Sequence, residues 1–315
     1  MKVKLQVVAE KQGGVFSRED ALRCGYSPAQ IRVEIRDGAW LRVCRGQYTA
    51  ARSDADEPPW VRSTGEHRLA TRAVLRSLTG SVVLSHQSAI VEYGLPTWGL
   101  DLSRVHVTRR DGVKGRITRK AVQHNAQLPA GIIWCRDGRE VVAPERAVLE
   151  VACSTGFEPA LAIADEALRI GLVTRQGLAF ALCDVEHWPR SPAARQVVAF
   201  CNGLSESVGE SRLRVLMDDH GLPTPVLQAP MLRNGTVFAR VDFLFPQFRT
   251  VIEFDGLLKY STDPEVLVRE KHREDSIREL GYQVLRLTWH DLSTPDRTIA
   301  RIQQAFTRAG YPQPR

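Results

Sequence analysis

The stretch Arg240-Val-Asp-Phe-Leu-Phe-Pro-Gln-Phe-Arg-Thr-Val-Ile-Glu-Phe-Asp-Gly256 decides the reading of the C-terminal third of the chain. Two short apolar runs, split by a turn containing Pro246, predict adjacent antiparallel strands. Both runs carry acids where a strand favours apolar or β-branched residues: Asp242 within 241–245, Glu253 within 250–254 and Asp255 directly after it. Side chains alternate along a strand, so Glu253 and Asp255 share a face. Gathering these carboxylates in an apolar setting is costly unless a cation or a proton shares the site. Mg²⁺, or Mn²⁺ in its place, takes oxygen ligands and offsets that cost. The expectation is a metal-dependent site built on a small sheet, with Asp242, Glu253 and Asp255 as metal ligands.

Working outward, residues 205–217 form a helix, Pro223 and Pro225 lead into a strand at 226–229, and the two acid-bearing strands follow. A charged helix over about 264–280, a strand at 283–289 and a last helix over about 297–309 complete an α-β-β-β-α-β-α order, an α/β domain at 205–315.

The first fifty residues have a different rhythm. Helices are predicted at 2–11, with Val3, Val7 and Val8 inward; from Ser17, with Asp20 at the capping-box position; and from Ser27, with Pro28 at the first helical position. The segment 40–48 then reads as a hairpin around Arg45-Gly46. Three short helices and a hairpin describe a winged helix-turn-helix over 1–50, whose third helix can enter a DNA major groove. It would present Gln30, Arg32 and Arg36 there, and the wing would present Arg42 and Arg45.

Between these ends, 51–65 reads as a polar, proline-bearing linker, and 66–200 as an α/β scaffold. Helices are expected at 66–78, 144–152, 159–171 and 174–182, and strands around 105–108, 115–118 and 121–124. Ser85-His86 suggests a nucleophile beside a base. No third orienting group is evident, and Ser85 is more simply the N-cap of a helix ending at Gly94.

Composition narrows the classes. Apolar residues make up 43% and charged residues 25% of 315, ordinary for a globular chain. No run approaches the roughly 18 apolar residues of a membrane helix. The N-terminus lacks an apolar stretch of signal-peptide type, and six singly spaced cysteines indicate neither a zinc site nor a disulfide framework. A cytoplasmic protein is the expectation. The net charge of +7 is concentrated at the front: residues 1–115 hold 18 Lys/Arg against 12 Asp/Glu, whereas 206–315 hold 15 of each. Such a bias suits contact with a phosphate backbone.

Taken together, Glu210, Asp242, Glu253 and Asp255, with the Lys/Arg series over 259–286, resemble the PD-(D/E)xK nuclease superfamily. The segments Glu253-Phe-Asp-Gly256 and Gly281-Tyr-Gln-Val-Leu-Arg-Leu-Thr-Trp289 are similar to its Vsr-like branch, in which Glu-x-Asp-Gly replaces Glu-x-Lys. The N-terminal segment resembles the winged-helix domain of AbiEi-type antitoxins, and the two are fused in actinobacterial proteins. The resemblance covers about 1–50 and 205–292. It implies a restriction-endonuclease-like C-terminal domain that hydrolyses DNA phosphodiester bonds, at nicks, mismatches or in foreign DNA. Asp242, Glu253 and the Phe254 carbonyl would hold the metal, and Glu210 would face the site from its helix. Asp255 stands where the usual lysine orients water, which leaves Lys259 or Lys271 to restore positive charge; Asp275 and Arg278 share the face of Lys271. Arg286 and Thr288 would meet the scissile phosphate, with Arg278 as a further DNA contact. The competing expectation is non-enzymatic: an AbiEi-like antitoxin or autoregulator, binding DNA or a cognate toxin through a decayed nuclease fold. A nuclease fold kept only as a protein-docking platform is a third.

Overall fold

A computed structural model describes residues 1–51, 57–256 and 264–310. Its contacts group into two units, 1–163 with 173–199, and 164–172 with the residues from 200 onward.

The first unit opens with helices α1 (Val3–Lys11), α2 (Arg18–Arg23) and α3 (Pro28–Arg36). A three-stranded sheet ordered β1-β3-β2 joins them, from β1 (Phe16–Ser17), β2 (Trp40–Cys44) and β3 (Gln47–Ala50). This is the expected winged helix. Ser17 and Ser27 each close a capping box, with Asp20 and with Gln30, so both helices begin where two backbone N–H groups find side-chain acceptors. Phe16 meets Trp40 edge-to-face at 4.7 Å in a core that includes Leu5, Ile31 and Tyr48. The inward residues of α1 are Leu5 and Ala9, spaced i, i+4; Val3 and Val7 are exposed.

Helix α4 (Pro59–Ser77) starts earlier than its periodicity suggested, because Pro59 takes the first helical position and needs no N–H partner there. The polar linker is correspondingly shorter, and residues 52–56 of it lie outside the described residues. On α4, Arg76 donates to Asp20 of the winged helix at 3.0 Å and Arg72 donates to the Gly13 carbonyl.

The scaffold that follows holds β4 (Val82–Leu84), α5 (His86–Tyr93), β5 (Val105–Arg109), β6 (Arg116–Ile117), β7 (Ala121–Asn125), β8 (Ile133–Arg136) and β9 (Arg139–Val142). The strands form one mixed sheet ordered β6-β7-β5-β4-β9-β8. Helix α5 packs on β5 and β9; of the helices that follow, α6 (Pro144–Ser154), α7 (Phe157–Arg169), α8 (Arg175–Ala181) and α9 (Ser191–Phe200), α6 packs on α5 and α8 on α6. Asp137 and Gly138 both have positive φ, the two-residue turn that matches strand twist, and they join β8 to β9.

The second unit holds α10 (Val208–Asp219), β10 (Val226–Arg233), β11 (Thr236–Phe245), β12 (Thr250–Asp255), α11 (Pro264–Glu279), β13 (Gln283–Thr288), α12 (Trp289–Leu292) and α13 (Pro295–Arg308). Its sheet runs β10-β11-β12-β13, with β12 and β13 parallel and joined through α11. Leu213, Met217, Phe243, Phe245, Ile252, Phe254, Ile302 and Phe306 fill one face of the sheet beneath α10 and α13. Ala229, Met231, Val241 and Val251 pack with Ile277 of α11 on the other.

Candidate active site

Glu253 and Asp255 lie on the α11 face of β12, with Glu253 in register with Arg286 and Asp255 with Thr288 on β13. Pairing between β11 and β12 ends at Phe243↔Ile252. Beyond it the Asp242 carboxylate takes over the role of a backbone carbonyl, accepting the Phe254 N–H at 2.8 Å.

The β10–β11 ribbon changes face at the same level. Leu227 packs toward the α10/α13 core, whereas Ala229 packs toward α11; Phe243 and Val241 behave likewise. A regular strand would keep residues two apart on one face. The switch occurs at Gln228, whose φ is +47°, and at Asp242 opposite it, between the pairs Leu227↔Phe243 and Ala229↔Val241. Gln228 Nε2 then donates to Glu210 Oε2 at 3.0 Å and to Asp242 Oδ1 at 3.2 Å.

Glu210 reaches this point from the first turn of α10, where Ser207 is the N-cap. Its carboxylate accepts from the Glu206 N–H at 2.9 Å and the Ser207 hydroxyl at 2.8 Å. The helix is fixed from behind: buried Asp165, on the part of α7 belonging to this unit, accepts from Ser211 and Arg214, each at 2.7 Å.

Burial pushes the Glu210 carboxyl up, and the Asp242 charge adds to it against the hydrogen bonds from Glu206, Ser207 and Gln228. Burial also pushes Glu253 up; Arg273 and Arg286 oppose it, while Asp242 and Glu270 reinforce it. Glu210 and Glu253 thus each feel the Asp242 charge, and carboxylate oxygens are the donors a Mg²⁺-class cation takes, but among the described residues the three acids do not bring their oxygens within 4.8 Å of one another.

The cations nearest the acids differ from those expected. Lys259 lies outside the described residues. Lys271 is exposed on α11 together with Asp275 and Arg278, and of the three Arg278 reaches the sheet, donating to the Val284 carbonyl of β13 at 3.2 Å. The stripe Glu270, Arg273, Glu274 and Ile277 faces inward. Arg273 Nη2 donates to Glu253 at 2.9 and 3.0 Å. Arg286 sits among Asp255 at 3.2 Å, Glu274 at 3.1 Å, Glu270 at 3.4 Å and Glu253 at 3.7 Å. Burial works against its charge, but Asp255 and Glu253 outweigh that and hold the guanidinium protonated. Arg278 pairs with Glu274 at 2.7 Å. Thr288 donates its hydroxyl to Asp291 at 2.9 Å in a capping box at the start of α12.

Gln228 and Arg273 were missed from sequence. Arg273 was reachable through the i, i+3, i+4, i+7 stripe ending at Ile277. Gln228 had no such signal, since a non-glycine residue in the left-handed region gives no pattern in the residues around it.

On the winged helix, Gln30, Arg32 and Arg36 of α3 and Arg42 and Arg45 of the wing are all exposed. Gln30 also serves the α3 cap, and Arg36 pairs with Asp37 at 2.8 Å. Among the described residues no helix is long and apolar enough to cross a membrane.

Residues 4–51 match the model of the family described as transcriptional regulator, AbiEi antitoxin. Over 281 residues the chain is 31% identical to the uncharacterized proteins MT2308 and Rv2248 of two Mycobacterium tuberculosis strains, covering 89% of this chain and 97% of each of theirs. The chain belongs to the same family as these two proteins. A crystal structure of the RV2827C protein from Mycobacterium tuberculosis aligns over 73% of this chain and 87% of its own, at 16% identity and a TM-score of 0.39. The family match at residues 4–51 coincides with the winged helix seen in the structure, α1 through β3.

Proposed function

We propose that this is a DNA-binding protein whose winged helix docks on duplex DNA and whose second unit hydrolyses phosphodiester bonds with Mg²⁺ or Mn²⁺. The observation that carries the catalytic part is the bridge Glu210–Gln228–Asp242, set beside Glu253 at a face switch in the sheet. Building it keeps a glutamine in a strained backbone conformation and brings buried carboxylates together, two features that cluster at functional sites.

In this reading Asp242 and Glu253 hold the ion, and Asp255 holds Arg286 in place. A bound ion of this class polarises a phosphate oxygen and lowers the pKa of its water. Gln228 fixes the rotamers of Glu210 and Asp242, and Glu210 accepts a hydrogen bond from the attacking water. Arg286, and Arg273 once released from Glu253, face the phosphate as the cations that Asp255 cannot provide.

Nicking of supercoiled plasmid with Mg²⁺ or Mn²⁺ tests it. Wild type nicks, and Asp242→Ala and Glu253→Ala lose at least a hundredfold in rate. Equal nicking by all three overturns the catalytic reading.

One observation favours a second reading. Arg273 contacts both oxygens of Glu253, and Arg286 contacts Asp255, so two of the acids already have cationic partners. A family member in which those pairs are permanent is a transcriptional autoregulator or antitoxin, binding DNA or a cognate toxin without cleaving. It would nick nothing while retarding duplex DNA in a gel.

A further inference from the structure

The scaffold sheet of the first unit carries a second constellation, unrelated to the carboxylates. His106 on β5 and His124 on β7 point from the same side of neighbouring parallel strands, one diagonal step apart, because His106 is in register with Val122 and Thr108 with His124. His106 Nδ1 and His124 Nε2 lie 3.1 Å apart. The His86 ring, from the first residue of α5, stacks on His124 with centroids 3.8 Å apart and planes within 9°. One nitrogen from each of the three rings lies within 4.8 Å of the others.

Two features separate this cluster from ordinary core histidines. His67 nearby is the contrast: Nδ1 bonds the Leu102 carbonyl at 2.8 Å and Nε2 the Ser88 hydroxyl at 2.9 Å, so its ring is satisfied. Among the described residues, by contrast, Nε2 of His86 has no protein partner. The second feature is backbone strain. His86 has φ +50°, a conformation that costs a non-glycine residue about 1–2 kcal/mol. It is held there by buried Glu150, which accepts the His86 N–H at 2.8 Å and lies 3.3 Å from His86 Nδ1. Arg146 donates to the other oxygen of Glu150 at 3.0 Å and keeps that carboxylate oriented. Ser85 stands at the N-cap position of α5 without capping it. Glu150 takes that role, and the Ser85 hydroxyl lies 3.2 Å from His86 Nδ1.

The geometry points to a divalent transition-metal site of the Zn²⁺ class, with His86, His106 and His124 as ligands, Glu150 orienting His86, and the fourth position open to water. His86 Nδ1 has the Ser85 hydroxyl at 3.2 Å and the Glu150 carboxylate at 3.3 Å, and a proton placed on it would face both and leave Nε2 as the lone-pair nitrogen. With metal–nitrogen bonds of about 2.0–2.1 Å, two ligands of a tetrahedral ion stand roughly 3.4 Å apart. The His106–His124 separation is already close to that bite. His86 must close in by side-chain rotation, and the metal takes the place of the proton shared by His106 and His124. His106 and His124 are half-buried, which gives the ion a path from solvent.

The test uses full-length, untagged protein stripped with chelator and titrated with Co²⁺, in an Asp242→Asn/Glu253→Gln background that removes the acid site as a competitor. One equivalent of Co²⁺ should give the visible absorption of a four-coordinate nitrogen site, and Zn²⁺ should displace it. His124→Asn should weaken Co²⁺ binding at least a hundredfold, and Glu150→Gln by about 10–100-fold. His86→Ala is the harder variant to fold; His124→Asn, at a half-buried strand position, decides the matter if circular dichroism shows His86→Ala unfolded. Absence of the cobalt band in the folded parent, or its persistence in folded His124→Asn, overturns the site.

Discussion

Gln228 donates its side-chain amide to both Asp242 and Glu210 from a backbone held at φ +47°. Glycine adopts that conformation without steric penalty. Gln228→Gly is therefore expected to retain or raise the melting temperature while removing the bridge between the two carboxylates. Plasmid nicking should fall at least tenfold while the melting curve holds. Unchanged nicking would leave the bridge without a catalytic role.

Arg273 and Glu253 make the second decisive pair. Glu253 is 6% exposed, so Arg273→Met leaves a buried carboxylate that only Arg286 partly compensates. A loss of about 1–3 kcal/mol in denaturant unfolding is expected, and Glu253→Gln in the same chain should recover most of it. Millimolar Mg²⁺ should stabilise Arg273→Met more than wild type if an ion and the guanidinium compete for Glu253. Equal Mg²⁺ responses would favour the permanently paired, non-cleaving reading.

Much of the architecture was legible because its signals are local. Ser17/Asp20 and Ser27/Pro28 mark helix starts within four residues, and the β11–turn–β12 pattern follows from alternation around Pro246. What stayed hidden depends on tertiary packing. Lys271 and Arg273 differ by two positions on one helix, and only the packing of Ile277 on the sheet tells which of them turns inward. The β8–β9 hairpin had an Asp137-Gly138 signal that its short, partly exposed strands obscured. The three histidines follow one another at intervals of 20 and 18 residues, and only the pairing of β5 with β7 and the turn into α5 brings them together.

Asp20 ties the winged helix to α4 through Arg76, and also accepts from Ser17 and Arg23. Burial pushes its carboxyl up, but the Ser17 bonds, Arg23 and the Arg76 charge outweigh that and leave it below 3.8. Its folded value is depressed, so its contribution is present above the unfolded value near 3.8 and is lost as pH falls through the folded one. Asp20→Asn should lose about 1–3 kcal/mol at pH 7 and show a flatter acid limb below pH 4 in urea melts followed by circular dichroism. Parallel wild-type and variant curves would remove Asp20 from the acid response.

Arg32 and Arg36 lie on the exposed side of α3, the helix proposed to dock on duplex DNA. The variant Arg32→Ala/Arg36→Ala should weaken binding to duplex DNA at about 100 mM salt. It should also flatten the dependence of log K on log salt by about 0.9 for each phosphate left without its arginine. Fluorescence anisotropy across a salt series checks both, and an unchanged slope would exclude these side chains from phosphate recognition.

Gly209 precedes Glu210, and its position explains how a helix residue comes so near the sheet. A Cβ built on Gly209 would stand 1.9 Å from the Phe254 ring, so α10 can approach β12 this closely only with hydrogen there. Phe254 is itself the residue whose N–H is taken by Asp242, so one close approach sets the spacing between Glu210 and the acids on the strands. Gly209→Ala has to push helix and ring apart, at a cost of about 1–3 kcal/mol for an overpacked interface. The displacement also draws Glu210 away from Gln228, so nicking should drop by more than the folded fraction does. Phe254→Leu in the same chain makes room for the methyl group and should recover stability. Activity tracking the Glu210–Gln228 distance would recover with it, and a double variant that is stable but inactive would show that the Phe254 ring itself is needed.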